Sequence, residues 1–240
     1  MYGKNEEFIL DVRRAARLEK KPTVTTDSEM MSPDAVSKVL QRAALWLTPK
    51  VVETYDPAEF TALNEELQRE LQSSVETFRA AAEAVPSDKP ATISQVKNGF
   101  AAFERLTTTV RRVVLAEWTG AVAEVIKQIE QWSAGFEWRT RRQDKSLSET
   151  LLGEYTLPQL YLYAEGQLYV LDPLARFVPG ALGAFDLSIQ PSFYSTSIYR
   201  HLDRIWYVHL DVNQGVRSAR REVLGRDSFR KSIDGLRSLL

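Results

Sequence analysis

The sequence predicts an α+β protein: an elongated N-terminal helical bundle, made of a long antiparallel helical hairpin plus shorter helices, then a small antiparallel β-rich domain with a C-terminal helix. Three observations predict it. Apolar residues recur every three or four positions across most of the first half, up to Trp132. From Pro158 the apolar period drops to two, the signature of half-buried strands. After Asp227 helical spacing returns through Phe229, Ile233, Leu236 and Leu240.

The helices are punctuated by prolines and caps. Residues 5–20 read as a short amphipathic helix carrying Phe8, Ile9, Val12 and Ala16, closed by Pro22. Residues 22–33 read as a polar linker. A second helix opens with Ser32 as cap and Pro33 in the first position, where a missing N–H costs nothing, and ends before Pro49. A third opens at Asp56-Pro57 with Glu59 in a capping-box pattern and carries the stripe Phe60, Leu63, Leu67, Leu71, Val75, Phe78. A fourth begins near Thr92, with Gln95 completing a second capping box, and runs to a stop at Gly135. At 1.5 Å per residue, helix 57–85 spans ~43 Å and helix 93–134 ~63 Å. The short connection makes them antiparallel neighbours, and helix 33–48 is expected to cover the overshoot.

Residues 139–156 are polar and charged and read as a connection or irregular helix. The β region follows, with a turn at Glu165-Gly166, another at Pro179-Gly180, and strands near 184–190, 193–200 and 205–212 among about six in all. The expected organisation is therefore 1–31 as an amphipathic segment and linker, 32–138 as the helical bundle, 139–156 as a connection, and 157–240 as the β-rich domain with its C-terminal helix.

Composition narrows the function. The chain's 240 residues allow one large or two small domains and a core that needs no staples. It carries 31 basic and 32 acidic residues, formal net charge −1, without the basic excess of a dedicated nucleic-acid binder. The absence of cysteine excludes disulfides, thiolate metal sites and cysteine nucleophiles. The N-terminus lacks the apolar core of a signal peptide, and no window approaches ~20 uninterrupted apolar residues, so a cytoplasmic address without membrane contact is expected.

The sharpest catalytic candidates lie on the polar sides of strands. Asp186, Ser188 and Gln190 share one face, and Tyr207, His209 and Asp211 another. If those strands pair, Asp186 would orient His209 as a general base, with His201 near the same rim. Any antiparallel sheet with a solvated face produces the same alternation. A nuclease-type site needs an acidic residue and a lysine near a metal. No lysine occurs between Lys145 and Lys231, which argues against it. His201 and His209 are the only histidines, so no metal site and no cofactor is expected. No phosphate-loop, dinucleotide or nucleophile-elbow motif is present.

Two basic clusters remain: Arg139, Arg141 and Arg142 after Trp138, and Arg217, Arg220, Arg221, Arg226, Arg230 and Lys231 near the C-terminus. Of these, Arg217, Arg220, Arg221 and Arg230 are the candidates for nucleic-acid contact. The expectation that follows is a non-catalytic interaction or scaffold subunit. It would bind a protein partner or itself through helices 57–85 and 93–134, with residues 5–20 as a possible docking segment. A metal-independent hydrolase or ribonuclease using His209 with Asp186 is the alternative, and a nucleic-acid accessory protein the third reading.

Overall fold

The computed structural model describes residues 64–84, 92–192, 194–210 and 220–240. The expected helices 5–20 and 33–48, the linker between them, and Arg217 lie outside those residues. Among the described residues there are three helices and a seven-stranded antiparallel sheet. The predicted elongated N-terminal bundle is therefore corrected: two helices pair, and the rest of the longer one belongs with the sheet.

Helix α1 (Glu65–Glu83) starts later than the Asp56-Pro57 signal implied. Asn64, in an extended conformation, caps it by accepting a hydrogen bond from the Leu67 N–H at 2.9 Å. Helix α2 (Ile93–Ala134) opens as its capping box predicts. The Gln95 N–H donates to Thr92 Oγ1 at 3.3 Å, and the Thr92 N–H donates to Gln95 Oε1 at 2.9 Å. At its other end the left-handed residue is Glu137, at φ 64°, rather than Gly135. That geometry lets the Trp138 N–H donate back to the Ser133 carbonyl at 2.9 Å.

The chain divides into two compact units, residues 1–117 and 118–240, and α2 runs through the division. In the first, α1 and the N-terminal part of α2 form an antiparallel seam. Phe78 meets Phe103 at 6.0 Å between ring centroids. Ser74 Oγ lies 3.1 Å from Thr109 Oγ1, and Arg112 donates to Glu70 at 2.6 Å. Leu71, Val75, Leu106, Val110 and Val113 fill the core of this seam. Each buried side chain of this size contributes about 1.5–3 kcal/mol relative to exposure.

In the second unit the strands are β1 (Arg139–Glu149), β2 (Gly153–Ala164), β3 (Gln167–Ala175), β4 (Ala184–Gln190), β5 (Ser195–Arg200), β6 (Trp206–His209) and β7 (Arg221–Val223). Each pairs with the next in sequence, an uncrossed meander. The supposed connection 139–156 is thus corrected to β1 and the start of β2. Its pattern hid it because an edge strand wetted on both faces shows no hydrophobic alternation. Helix α3 (Arg226–Arg237) follows β7. Its cap is Gly225, whose N–H donates to Ser228 Oγ at 2.8 Å; Asp227 lies inside the first turn rather than opening the helix.

One face of the sheet is dry. Leu160, Leu162, Tyr169, Leu171, Phe185, Leu187, Ile189, Ile198 and Val208 are all buried there. The part of α2 from Trp118 onward and α3 cover that face. Trp118 packs on Phe185 and Trp206, and Trp132 packs on Phe229. The sequence reading gave this stretch of α2 to helix 33–48, which lies outside the described residues; among the described residues it is the sheet and α3 that pack on it. Among the described residues no helix is long and apolar enough to cross a membrane.

Gly183 shows how tight this packing is. Its φ of +142° is one that side-chain-bearing residues rarely adopt, and a Cβ there would overlap the six-membered ring of Trp118. Gly183→Ala is expected to cost about 3 kcal/mol or more through strain and overpacking together. Urea denaturation followed by tryptophan fluorescence reads this; a loss below about 1 kcal/mol would show that the ring moves aside freely.

Candidate functional site

The opposite face of the sheet carries the polar side chains, and the pairing register places them in rows. Residues directly opposed in an antiparallel ladder share a face. Gln143 opposes Gln159, Asp172 opposes Asp186, Asp186 opposes Ser197, and His209 opposes Arg221. Gln159 Nε2 donates to Asp172 Oδ1 at 2.6 Å, which joins the first two pairs. The Ile198–Val208 pairing places Ser197 next to His209 in the register. A single polar row therefore crosses all seven strands: Gln143, Gln159, Asp172, Asp186, Ser197, His209, Arg221.

The two central carboxylates are treated differently. Lys145 Nζ donates to both oxygens of Asp172 at 2.8 Å and to the Pro173 carbonyl at 3.0 Å. Burial holds the Asp186 carboxyl above the usual carboxylate range, and the neighbouring charge of Asp172 adds to this, while a hydrogen bond from Ser195 opposes it. Lys145 corrects the sequence argument against an acid–lysine pair, which assumed that the sheet began after residue 156. With β1 in place, Lys145 is part of the sheet and reaches Asp172. Among the described residues no group of three or more His, Asp or Glu side chains is placed to share a metal ion.

Asp186 and His209 stand on the same face and in the same row, but two strands apart. At about 4.8 Å per strand their backbones are about 10 Å from each other, with Ser197 between. His201 stands beside a carboxylate. Its Nδ1 lies 3.3 Å from Asp203 Oδ2, and Tyr207 donates to the same oxygen at 3.0 Å. The turn between β5 and β6 fixes Asp203, whose Oδ1 accepts from the Ile205 N–H at 2.9 Å. That bond, with those from Tyr207 and His201, holds the Asp203 carboxyl below its ordinary range. The same bond to Asp203 raises the Tyr207 hydroxyl.

An aromatic ladder continues from there. Tyr199 stacks on Tyr207 at 5.9 Å and meets His209 at 4.9 Å. Arg221 lies 5.1 Å from the Tyr207 ring centroid, and its hydrogen bond to Tyr199 raises its pKa. At the other end of the sheet Arg139 lies over Tyr163 and Arg141 over Tyr161, at 5.8 and 5.0 Å.

The other predicted arginines are dispersed. Arg230 lies over Phe136 at 5.0 Å and pairs with Asp234 within α3. Arg220 is exposed just before β7, where its carbonyl accepts from the Leu210 N–H at 2.9 Å. Arg142 points to the dry side of the sheet and is held by Glu130. The residues to which sequence reasoning gave no role are Lys145, Tyr161 and Tyr163; it had considered Tyr199 beside His201, Asp203 as a partner of the histidines and Asp172 as an acid. The available signal was odd-numbered spacing in β1, where Arg139, Arg141, Gln143 and Lys145 recur at period two.

Comparison of the chain with protein-family models, with curated proteins and with solved structures returns no match.

The position of Asp186 yields a pH prediction. A carboxyl whose folded pKa is raised contributes stability that is present below its unfolded pKa and is lost as pH rises through the folded value. Asp186→Asn should therefore raise the melting temperature relative to wild type near about pH 7 and lose that advantage near about pH 3. Equal differences at both pH values would show that the Asp186 carboxyl is no harder to ionise in the fold than in the open chain.

Proposed function

We propose that this protein is a non-catalytic binding subunit and that its working surface is the open face of the sheet. The observation that carries the proposal is the row from Gln143 to Arg221, with its flanking tyrosines, lying opposite the helix-covered face. Tyrosine and arginine are, with tryptophan, enriched among the residues that contribute most to binding: tyrosine brings large contact area at low entropic cost, and arginine brings several donors in a planar fork.

This moves the surface away from the helices 57–85 and 93–134 favoured by the sequence. The reason is packing. Trp118 and Trp132 suggested an apolar stripe wider than a hairpin could cover. Trp118 is fully buried and Trp132 packs on Phe229, so neither offers itself to a partner. A cytoplasmic location belongs to the same proposal and is checked by cell fractionation.

A second reading has one observation in its favour. His201 Nδ1 lies within ion-pair distance of the Asp203 carboxylate, at 3.3 Å, whereas Asp186 and His209 stand two strands apart. Turnover of RNA that disappears in His201→Ala and survives in His209→Ala would select an enzyme over a binding subunit.

A photoreactive amino acid placed at Ser197, exposed at the middle of the open face, tests the proposal against one at Ala123, exposed on α2. Adducts to a macromolecule are expected from position 197 and not from 123. Adducts from position 123 alone would return the binding surface to the helices.

A further inference from the structure

We infer that the β1–β2 end of the open face binds a single-stranded nucleic acid, its backbone following Arg139 and Arg141 and its bases lying over the β2 side of the ladder. The inference rests on the open face being the working surface, and it names the occupant.

The register makes a two-rung ladder: Arg139 opposes Tyr163, and Arg141 opposes Tyr161. Each guanidinium lies over its tyrosine ring. That contact fixes the plane of the cation and leaves its N–H donors available. Arg139 and Arg141 are exposed, and Tyr163 retains 41 % of its surface in solvent. Successive rungs are two residues apart, about 6.8 Å along an antiparallel strand. A nucleotide in an extended single strand covers a comparable length, so each rung faces one phosphate and one base.

Charge complementarity selects the occupant. Elsewhere in the sheet basic groups have donors committed to a partner: Lys145 to Asp172, Arg142 to Glu130, and Arg221 to the Tyr199 hydroxyl. No carboxylate among the described residues pairs with Arg139 or Arg141. The next position in the row is Gln143 opposite Gln159, amides rather than acids. Guanidinium planes and tyrosine rings stack on any base, and amides read base edges, so the set suits splayed single-stranded bases. A duplex keeps its bases stacked inside and would leave these planes without a partner.

The test is fluorescence anisotropy of the full chain with labelled oligouridylate and oligothymidylate of roughly ten nucleotides, titrated at several salt concentrations. Wild type should bind at low salt. The double variant Arg139→Ala/Arg141→Ala, confirmed folded by circular dichroism, should bind at least tenfold more weakly. Its dependence of log affinity on log salt should be shallower by about 1.4, since each phosphate contact on a single strand carries about 0.7. Tyr163→Ala should weaken binding severalfold without changing that slope, whereas Arg142→Ala, on the other face, should bind as wild type does. Three results would overturn the inference: no binding, unchanged affinity in the double variant, or inorganic polyphosphate binding equally tightly with Tyr163→Ala having no effect. Polypeptide adducts from position 197 without oligonucleotide binding would overturn it while leaving the open-face reading in place.

Discussion

The burial of one face of the meander under the C-terminal part of α2 is the constraint on which the second unit depends. Trp118 is its anchor. The indole packs on Phe185 and Trp206 and lies so close to Gly183 that no side chain fits there. A strand has only two faces, so a register that places Phe185, Leu187 and Ile189 against the helix must send Asp186 and Ser188 the other way. The polar row is thus a geometric consequence of apolar packing. A slip of one residue in β3 or β4 would turn Asp172 or Asp186 toward the core and expose core residues such as Leu171 or Leu187, at a cost that holds the register firmly.

That coupling explains why the central acids are tolerated. Two aspartates directly opposed across β3 and β4 repel each other. Lys145 offsets one charge with a hydrogen bond to each oxygen, and Gln159 adds another donor. The second aspartate keeps its proton more readily instead. A similar solution serves the adjoining loop. The Glu149 carboxylate accepts from the Tyr155 hydroxyl and from the backbone N–H groups of Arg176 and Phe177, which ties the loop after β3 to the end of β1. Burial, and then the hydrogen bond to the neighbouring Glu149 carboxylate, push the Tyr155 hydroxyl well above its ordinary range.

What could be read from the sequence follows from where hydrophobic contrast exists. Helix α2 was legible because Phe103, Leu106, Val110 and Val113 alternate with polar residues at helical spacing, and its opening because Thr92 and Gln95 satisfy each other locally. Strand β4 was legible because Phe185, Leu187 and Ile189 alternate with Asp186, Ser188 and Gln190. Strand β1 was not, since as an edge strand its long polar run carries no core signal. Losing β1 also lost Lys145 and the arginine–tyrosine rungs from the site. The pairing of Asp186 with His209 failed for another reason: alternation tells which face a residue takes, but not how many strands lie between two residues.

The layout of charge across the open face gives it a direction. Arg139 and Arg141 lie at one end, the Lys145–Asp172–Asp186 group in the middle, and the His201–Asp203–Tyr207 turn with Arg221 at the other. Because the central lysine already answers one aspartate, the middle of the row presents little net charge, while the β1 edge keeps two cations that no carboxylate among the described residues pairs with. An anionic chain crossing the strands would meet carboxylates at β3 and β4; one confined to the Arg139–Gln143 end of β1 would not. Electrostatics therefore favours a ligand parallel to the edge strand. The same β1 charges blunt an otherwise open edge against pairing with another sheet. One set of side chains can thus keep the edge soluble and mark it for an anionic ligand.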